Sequence, residues 1–263
     1  MADLGVLGRI GAAATERVAR AKLVHPVSSL RASPSYGRPP LSLAAALSAP
    51  GPNVIAEVKF ASPSEGVLRL GAAPNEAARI AASYAHAGAA AVSVLTEPDF
   101  FGGDISFLAA ARGSCPTTPL LMKDFMVDEY QLELARSAGA DAVLLIAALL
   151  GPRLRDMHEI ARSLGLSALI EVHDEAEFDE ALKAGGSLIG VNSRNLKTLK
   201  VDLAVARRLA VRLPRGAIAV AESGLNSRAD VDSLAALGYK GFLIGSALMR
   251  DAEPGAALKI FLT

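Results

Sequence analysis

The sequence predicts an α/β protein of the (β/α)8 TIM-barrel class with an extra N-terminal helical segment. Three observations carry this. Eight apolar runs rich in β-branched residues recur after residue 52, helical periodicity lies between them, and a faint motif of helix end, glycine, turn and strand repeats along the chain. Alternating strand and helix patterns give a parallel sheet, and eight such units in residues 53–263 suit a closed barrel. An open doubly wound sheet is the competing architecture.

The first 52 residues read as an N-terminal helical extension and connector, and 53–263 as the barrel. The opening stretch, MADLGVLGRIGAAATERVARAK, has no basic start followed by an apolar run, so it is not a secretory signal. Arg9, Arg17, Arg20 and Lys22 give it the look of an amphipathic helix or transit peptide, but Asp3 and Glu16 favour an ordinary surface helix. Residues 26–52 are rich in Pro, Ser, Gly and Ala, which marks a connector, with a short helix near Leu41 to Leu47.

The strands are VIAEVKF, AAVSVLT, PLLMKDF, AVLLIAA, ALIEVH, SLIGVNSR, AIAVAESG and GFLIGSAL, in that order. Between them, Ala77, Ile80, Ala81 and Tyr84 form one apolar helical stripe, and Leu154, Met157, Ile160, Ala161 and Leu164 form another. Asp128 with Gln131, and Asp174 with Glu177, have capping-box spacing. Gly88, Gly139, Gly165, Gly185 and Gly238 stand where helices should end. The repeat is visible in HAGAAAVSVL, SAGADAVLLI, KAGGSLIGV and ALGYKGFLIG.

The totals narrow the function classes. The 263 residues carry no formal net charge, which gives nucleic-acid binding no general electrostatic support. One cysteine, Cys115, excludes an internal disulfide and makes the reducing cytoplasm the default compartment. The longest apolar run, Ala142 to Leu150, is too short to span a bilayer. No Cys/His spacing suits zinc, and there is no nucleophile elbow or P-loop. A barrel of this size without a partner domain is compatible with a monomer.

Active sites of such barrels gather at the C-terminal ends of the strands. Glu57 and Lys59 stand at the first, Lys123 at the third, Glu171 and His173 at the fifth, Asn192 and Arg194 at the sixth, and Glu222 with Ser223 at the seventh. Strands have period 2, so the paired residues share a face. If that face is inward, the mouth holds two lysines, three glutamates, an asparagine and an arginine, which is too much charge for a passive core. Such a cluster suits acid–base chemistry, because neighbouring charges drive pKa values apart. Any one of these residues alone could equally be a structural salt bridge. His173 reads as the blandest member, beside the N-cap Asp174; Asp124 and Asp141 read as turn or strand-end structure, and Cys115 falls at the bottom of the barrel.

A second signal is independent. The last two strands end in ESGL and IGSAL, and the loops there often hold a phosphate through backbone N–H groups and a helix N-terminus. Gly224 and Gly245 allow close backbone approach and Ser246 adds a hydroxyl. Two ordinary tight turns are the bland alternative. After the second strand, Phe100 or Phe101 could cover an aromatic substrate or serve as a hydrophobic plug.

AEVKFASPSEG, SVLTEPDFFGGD, LLMKDFMVDEYQ, AGADAVLLIAALL, LIEVHDEAE, IGVNSRNL, AESGL and FLIGSALMR occur in the order seen in indole-3-glycerol-phosphate synthases, and the chain resembles that family from about Asn53 to Arg250. The resemblance implies closure of the indole ring of 1-(2-carboxyphenylamino)-1-deoxyribulose 5-phosphate with loss of CO2 and water, a late step of tryptophan biosynthesis. It implies a small phosphorylated substrate and no metal or organic cofactor; the zero net charge and the short apolar runs already argue against a nucleic-acid or membrane partner. The family's motifs fall here on Glu57, Lys59, Lys123, Glu171, Asn192, Glu222 and Ser223. The implied roles are a proton donor for the ketone (Lys123) and acid–base groups for the dehydration (Glu171 and Lys59). Glu57 and Asn192 would orient Lys59 and the hydroxyls, and Glu222 and Ser223 would hold the sugar chain or the lysine network. Phosphate contacts would come from Gly224, Gly245 and Ser246 with help from Ser62. Arg194 would bind the substrate carboxylate or brace the site, and SPSEG would close as a lid.

Departures from the family pattern are peripheral. Phe60 replaces a common basic residue, Glu65 a frequent lysine, Asn195 a usual aspartate, and RLGAAP lacks an aspartate before its proline. Phe60, of opposite parity to Lys59, should face the helices or the rim. A lysine Schiff-base aldolase and a non-catalytic phosphometabolite-binding barrel are the rival readings.

Overall fold

Each of the eight apolar runs forms a strand in the computed structural model, which describes residues 5–196 and 198–263; Met1 to Leu4, Asp3 among them, and Lys197 lie outside the described residues. The strands are β1 (Asn53–Val58), β2 (Ala91–Leu95), β3 (Leu120–Lys123), β4 (Ala142–Ile146), β5 (Ser167–Val172), β6 (Leu188–Asn192), β7 (Ile218–Glu222) and β8 (Gly241–Ile244). All pairs are parallel, and β1 closes the ring by pairing with both β2 (Ile55 with Ala91) and β8 (Ile55 with Leu243). Strands buried on both faces need continuous apolar sequence, which is why these runs look core-like throughout. Lys59 and Phe60 lie just beyond β1 but keep its alternation.

Alternation divides the core in two. Ile55, Ala91, Leu121, Leu144, Leu169, Leu188, Val220 and Leu243 fill the barrel. Val54, Val58, Val92, Met122, Val143 and Ile170 face outward onto the helices, where Phe60 packs edge-on against Phe107 with ring centroids 5.5 Å apart. The Asp174 carboxylate caps its helix through the Glu177 N–H at 2.9 Å, while the Glu177 carboxylate reaches one residue further back, to the His173 N–H. Asp141 is a structural residue of the barrel bottom: its carboxylate accepts from Arg38, from Arg112 at 2.5 Å, and from the backbone N–H groups of Leu41 and Leu120. Cys115 is buried at the same end, and burial pushes its thiol pKa up.

The N-terminal segment departs from the surface helix expected. It forms α1 (Gly5–Val24), whose Leu7, Ile10, Ala14 and Val18 are buried at helical spacing. Leu7, Ile10 and Ala14 join the same cluster as the barrel interior, so α1 lies across the mouth rather than in solvent. At the other end the short helix Leu43–Leu47 puts Leu43 and Leu47 into that cluster, and the Asn53 side-chain amide ties it down through Leu47 and Lys240 carbonyls. The extension therefore runs from the top of the barrel to its floor. Among the described residues no helix is long and apolar enough to cross a membrane.

The helix Pro74–Ala87 begins at the RLGAAP departure. Its N-cap is Ala73, extended at φ −159° and ψ 156°, with no side chain to cap the free N–H groups. Ala73→Asp should raise unfolding free energy by about 1 kcal/mol, read as a higher urea midpoint at unchanged slope. An unchanged midpoint would refute this account of the helix start.

Candidate active site

A cavity of about 600 Å³ opens at the C-terminal end of the barrel, lined by Glu57, Lys59, Ser62, Phe101, Lys123, Glu171, Asn192, Arg194, Glu222, Ser223, Gly224, Gly245 and Ser246; His173 and Phe100 are not part of its lining. The strands place them. Inward parity on β1 sets Glu57 beside Lys59, whose ammonium meets the Glu57 carboxylate at 2.9 Å. Inward parity on β3, β5 and β7 sets the Lys123 ammonium between the Glu171 and Glu222 carboxylates, 3.3 Å from each.

Burial makes these pairings compulsory. Glu57, Glu171 and Glu222 are each at most 2% exposed, and an unpaired buried carboxylate costs several kcal/mol. Burial works against the charge on Lys123, but Glu222, Glu171 and Glu57 outweigh it and push the ammonium pKa above the ordinary lysine range. Burial likewise opposes ionisation of Glu171. Lys123, His173 and a hydrogen bond from Asn192 overcome it and hold that carboxyl well below the usual range. Glu222 goes the other way: burial and the neighbouring Glu171 charge prevail over Lys123 and push its pKa up to about 8. Two nearly equivalent carboxyls are thus split into one that is ionised and one that holds a proton near neutrality.

His173 is more than a turn residue. It stands behind Glu171, its Nε2 3.2 Å from Glu171 and its Nδ1 2.9 Å from Glu177. Desolvation lowers its pKa, but the two carboxylates prevail and push it up to about 10. It therefore brings a second positive charge to Glu171. Asp124, the residue after β3, has a structural role: it accepts from Thr96 at 2.8 Å and from Arg17 of α1 at 2.6 Å.

Two glycines make room for the carboxylates. A Cβ at Gly245 would fall 2.2 Å from Glu57 Oε2, and one at Gly190 would fall 2.1 Å from Glu222 Oε1. Ser223 holds a left-handed backbone at φ 63°, which β-region residues avoid, at the point where β7 turns away from the cavity. Asn192 Oδ1 accepts the Arg194 backbone N–H at 2.9 Å, and the Arg194 guanidinium donates to the Leu199 carbonyl at 3.0 Å, so Arg194 braces the loop after β6. Glu57 Oε1 and Glu222 Oε1 are buried without a hydrogen-bond partner among the described residues.

The cavity has an apolar side and a polar side. Val6, Leu7 and Ile10 of α1 line it together with Phe101, Phe125, Leu144 and Ile146, and the rings of Phe101 and Phe125 lie 5.7 Å apart. Phe101 sits on the short helix Pro98–Phe101, whose N-terminal N–H groups are capped by buried Glu97, itself 3.2 Å from Arg17. On the other side, Ser246 and Arg250 both bond to the Glu65 carboxylate, Arg250 at 2.5 Å. The helix that follows β8, Ser246–Met249, is a single turn, so this corner rests on the hydroxyl and the guanidinium rather than on a helix terminus. Sequence reasoning passed over Arg250 and the α1 wall. The four-residue spacing of Ser246 and Arg250, and the Leu7, Ile10, Ala14 stripe, were the signals for them. Among the described residues no group of three or more His, Cys, Asp or Glu could hold a metal ion.

Comparison with known proteins identifies the family. The family model for indole-3-glycerol phosphate synthase matches residues 7–261. An indole-3-glycerol phosphate synthase of Laribacter hongkongensis is 47% identical over 259 residues, covering 96% of this chain and 97% of that protein. One of Albidiferax ferrireducens is 45% identical over 264 residues, covering 98% of each. Among solved structures, a mutant tryptophan synthase alpha-subunit from Pyrococcus furiosus superposes with a TM-score of 0.61 at 16% identity, covering 80% of this chain and 97% of that one, which speaks for the barrel fold alone. The chain belongs to the indole-3-glycerol phosphate synthase family.

Proposed function

We propose that this cavity closes the indole ring of 1-(2-carboxyphenylamino)-1-deoxyribulose 5-phosphate, releasing CO2 and water to give indole-3-glycerol phosphate. The observation that carries the reading is the ordering of three chemistries in one cavity: an apolar aromatic wall, a pair of lysines each held by buried carboxylates, and a hydroxyl–guanidinium corner. They answer in turn to the substrate's aryl ring, its ketose carbons and its phosphate.

The ring stacks among Phe101, Phe125, Leu7 and Ile10. Lys123 donates to the ketone oxygen, and the ring carbon bearing the carboxylate attacks the polarised carbonyl carbon. Loss of CO2 restores the aromatic ring. The new hydroxyl then leaves as water while a proton is taken from the neighbouring carbon, with Lys59 and Glu171 as the acid–base pair. Glu57 holds Lys59 toward the reacting carbons. Asn192 and Ser223 face the sugar hydroxyls, and Glu222 supplies a proton reserve behind Lys123. Ser246, Gly245, Gly224 and Ser62 hold the phosphate together with Arg250, and Arg194 stiffens the loop after β6 beside the substrate carboxylate. A phosphorylated carboxylate does not cross membranes unaided, which suits a cytoplasmic enzyme. A Schiff-base mechanism is disfavoured, because it needs a neutral amine and Lys123 is held as an ammonium beside Glu222 and the ionised Glu171.

Lys123→Ala should lower kcat by roughly 10²–10⁴-fold while the fold persists, followed by the fluorescence of the indole product. Near-full turnover by a folded variant would remove Lys123 from the chemistry, and no indole signal from the wild type at saturating substrate would sink the reaction itself. Gly245→Ala should displace the Glu57 carboxylate, and with it Lys59, and so depress kcat more than it changes circular dichroism; wild-type kcat in that variant would show that the glycine is not needed as a seat. The pH dependence of stability has a definite sign. Glu222 and His173 both bind their protons more tightly when folded, so their stabilisation is full below their unfolded values. It fades as pH rises toward about 8 for Glu222 and about 10 for His173. The melting temperature should therefore fall between pH 7 and pH 10, and a flat or rising curve would contradict the assigned proton positions.

A further inference from the structure

The loop after β1 ends in a tight hairpin that reaches the phosphate corner. Ala61–Ser62 pairs antiparallel with Gly66–Val67, and the Glu65 N–H donates to the Ser62 carbonyl at 3.3 Å. This turn carries the Glu65 carboxylate to Ser246, whose hydroxyl donates to one oxygen, while Arg250 donates to the other at 2.5 Å. The carboxylate thus engages, with both oxygens, the two donors that the proposed function gives to the phosphate.

We infer that Glu65 is a built-in competitor for the substrate phosphate: the chain's own carboxylate occupies the Ser246–Arg250 corner, and substrate binds by displacing it. The inference rests on reading that corner as the phosphate site. Three features support it. A carboxylate and a phosphate offer the same charged oxygen acceptors to a hydroxyl and a guanidinium, so they compete for one set of donors. A carboxylate and a phosphate dianion on the same two donors would be like charges in contact, so occupancy is exclusive.

The hairpin is also anchored apart from its tip. At its base, Leu68 and Arg69 N–H groups donate to the Phe60 carbonyl, and the Arg69 guanidinium holds the Asp251 and Ala252 carbonyls. The tip can let go while these ties stay. The positive charges of Lys59 and Arg194 also act on the Glu65 carboxylate.

A competitor of this kind weakens the apparent affinity by the fraction of molecules in which the corner is free. Removing it should tighten phosphate binding. Inorganic phosphate binding by calorimetry, and KM with the carboxyphenylamino-deoxyribulose phosphate, are measured for wild type, Glu65→Gln and Glu65→Ala. Both variants should bind inorganic phosphate roughly tenfold more tightly, the scale of one charge-assisted hydrogen bond released, and their KM should fall in parallel. Equal or weaker phosphate binding in both folded variants overturns the inference. The phosphate titration needs no turnover, so the two readings fail separately. Absence of indole product in the wild type would strike the proposed reaction, whereas unchanged phosphate affinity strikes only the role of Glu65.

Discussion

Three carboxylates buried at the mouth of a closed barrel are the constraint on which the rest of the site depends. Glu57, Glu171 and Glu222 come from β1, β5 and β7 and are nearly inaccessible to water. Each must find positive charge or keep its proton. Lys59 answers Glu57, Lys123 is shared by Glu171 and Glu222, and His173 adds charge behind Glu171. The glycines at 190 and 245 follow from the same demand, since a side chain at either would collide with a carboxylate oxygen. Barrel closure supplies the geometry, because only a ring of parallel strands points the ends of β1, β3, β5 and β7 at one another.

That arrangement limits what each group can do in the proposed reaction. Lys123 is held more firmly protonated than a free lysine, so it meets the ketone oxygen as a dependable positive charge and releases its proton only as negative charge develops there. Its contribution is then largely electrostatic, polarising the ketone oxygen as negative charge develops on it. Glu222, which keeps a proton near neutrality, can restore any proton that Lys123 gives up. Glu171, held ionised by Lys123 and His173, suits acceptance of a proton in the dehydration half. The acid and base functions thus fall on carboxyls that differ in their neighbours rather than in residue type.

Much of this was legible in the sequence because a strand has period 2. Glu57 and Lys59, Glu171 and His173, and Asn192 and Arg194 are two residues apart, and charges cannot be tolerated inside a barrel except where they meet. What sequence could not convey was which charges meet across the ring. The neighbourhood of Lys123 is set by β5 and β7, 48 and 99 residues away, and no local pattern encodes that separation. His173 looked bland for the same reason: its partner Glu177 is visible as a helical neighbour, but its contact with Glu171 depends on the bend where β5 ends. Glu65 was visible as a departure from the family pattern, yet its destination at Ser246 depends on the hairpin turn and on the opposite end of the chain.

The N-terminal extension is physically part of the same site. Leu7, Ile10 and Ala14 share one apolar cluster with the barrel interior. Arg17 reaches across to Glu97, which caps the short helix bearing Phe101, and to Asp124 at the end of β3. Further along, Arg31 and Tyr36 meet Glu133, and Arg38 meets Asp141 beneath the barrel. Each contact pairs a cation or hydroxyl of the extension with a carboxylate that the barrel keeps largely from water. Detaching the extension would therefore strip the apolar wall from the cavity and leave Glu97, Asp124 and Asp141 short of partners at once. The chain can gain an apolar cavity wall from a helix outside the eightfold repeat because buried charge, rather than apolar contact alone, fixes where that helix lies.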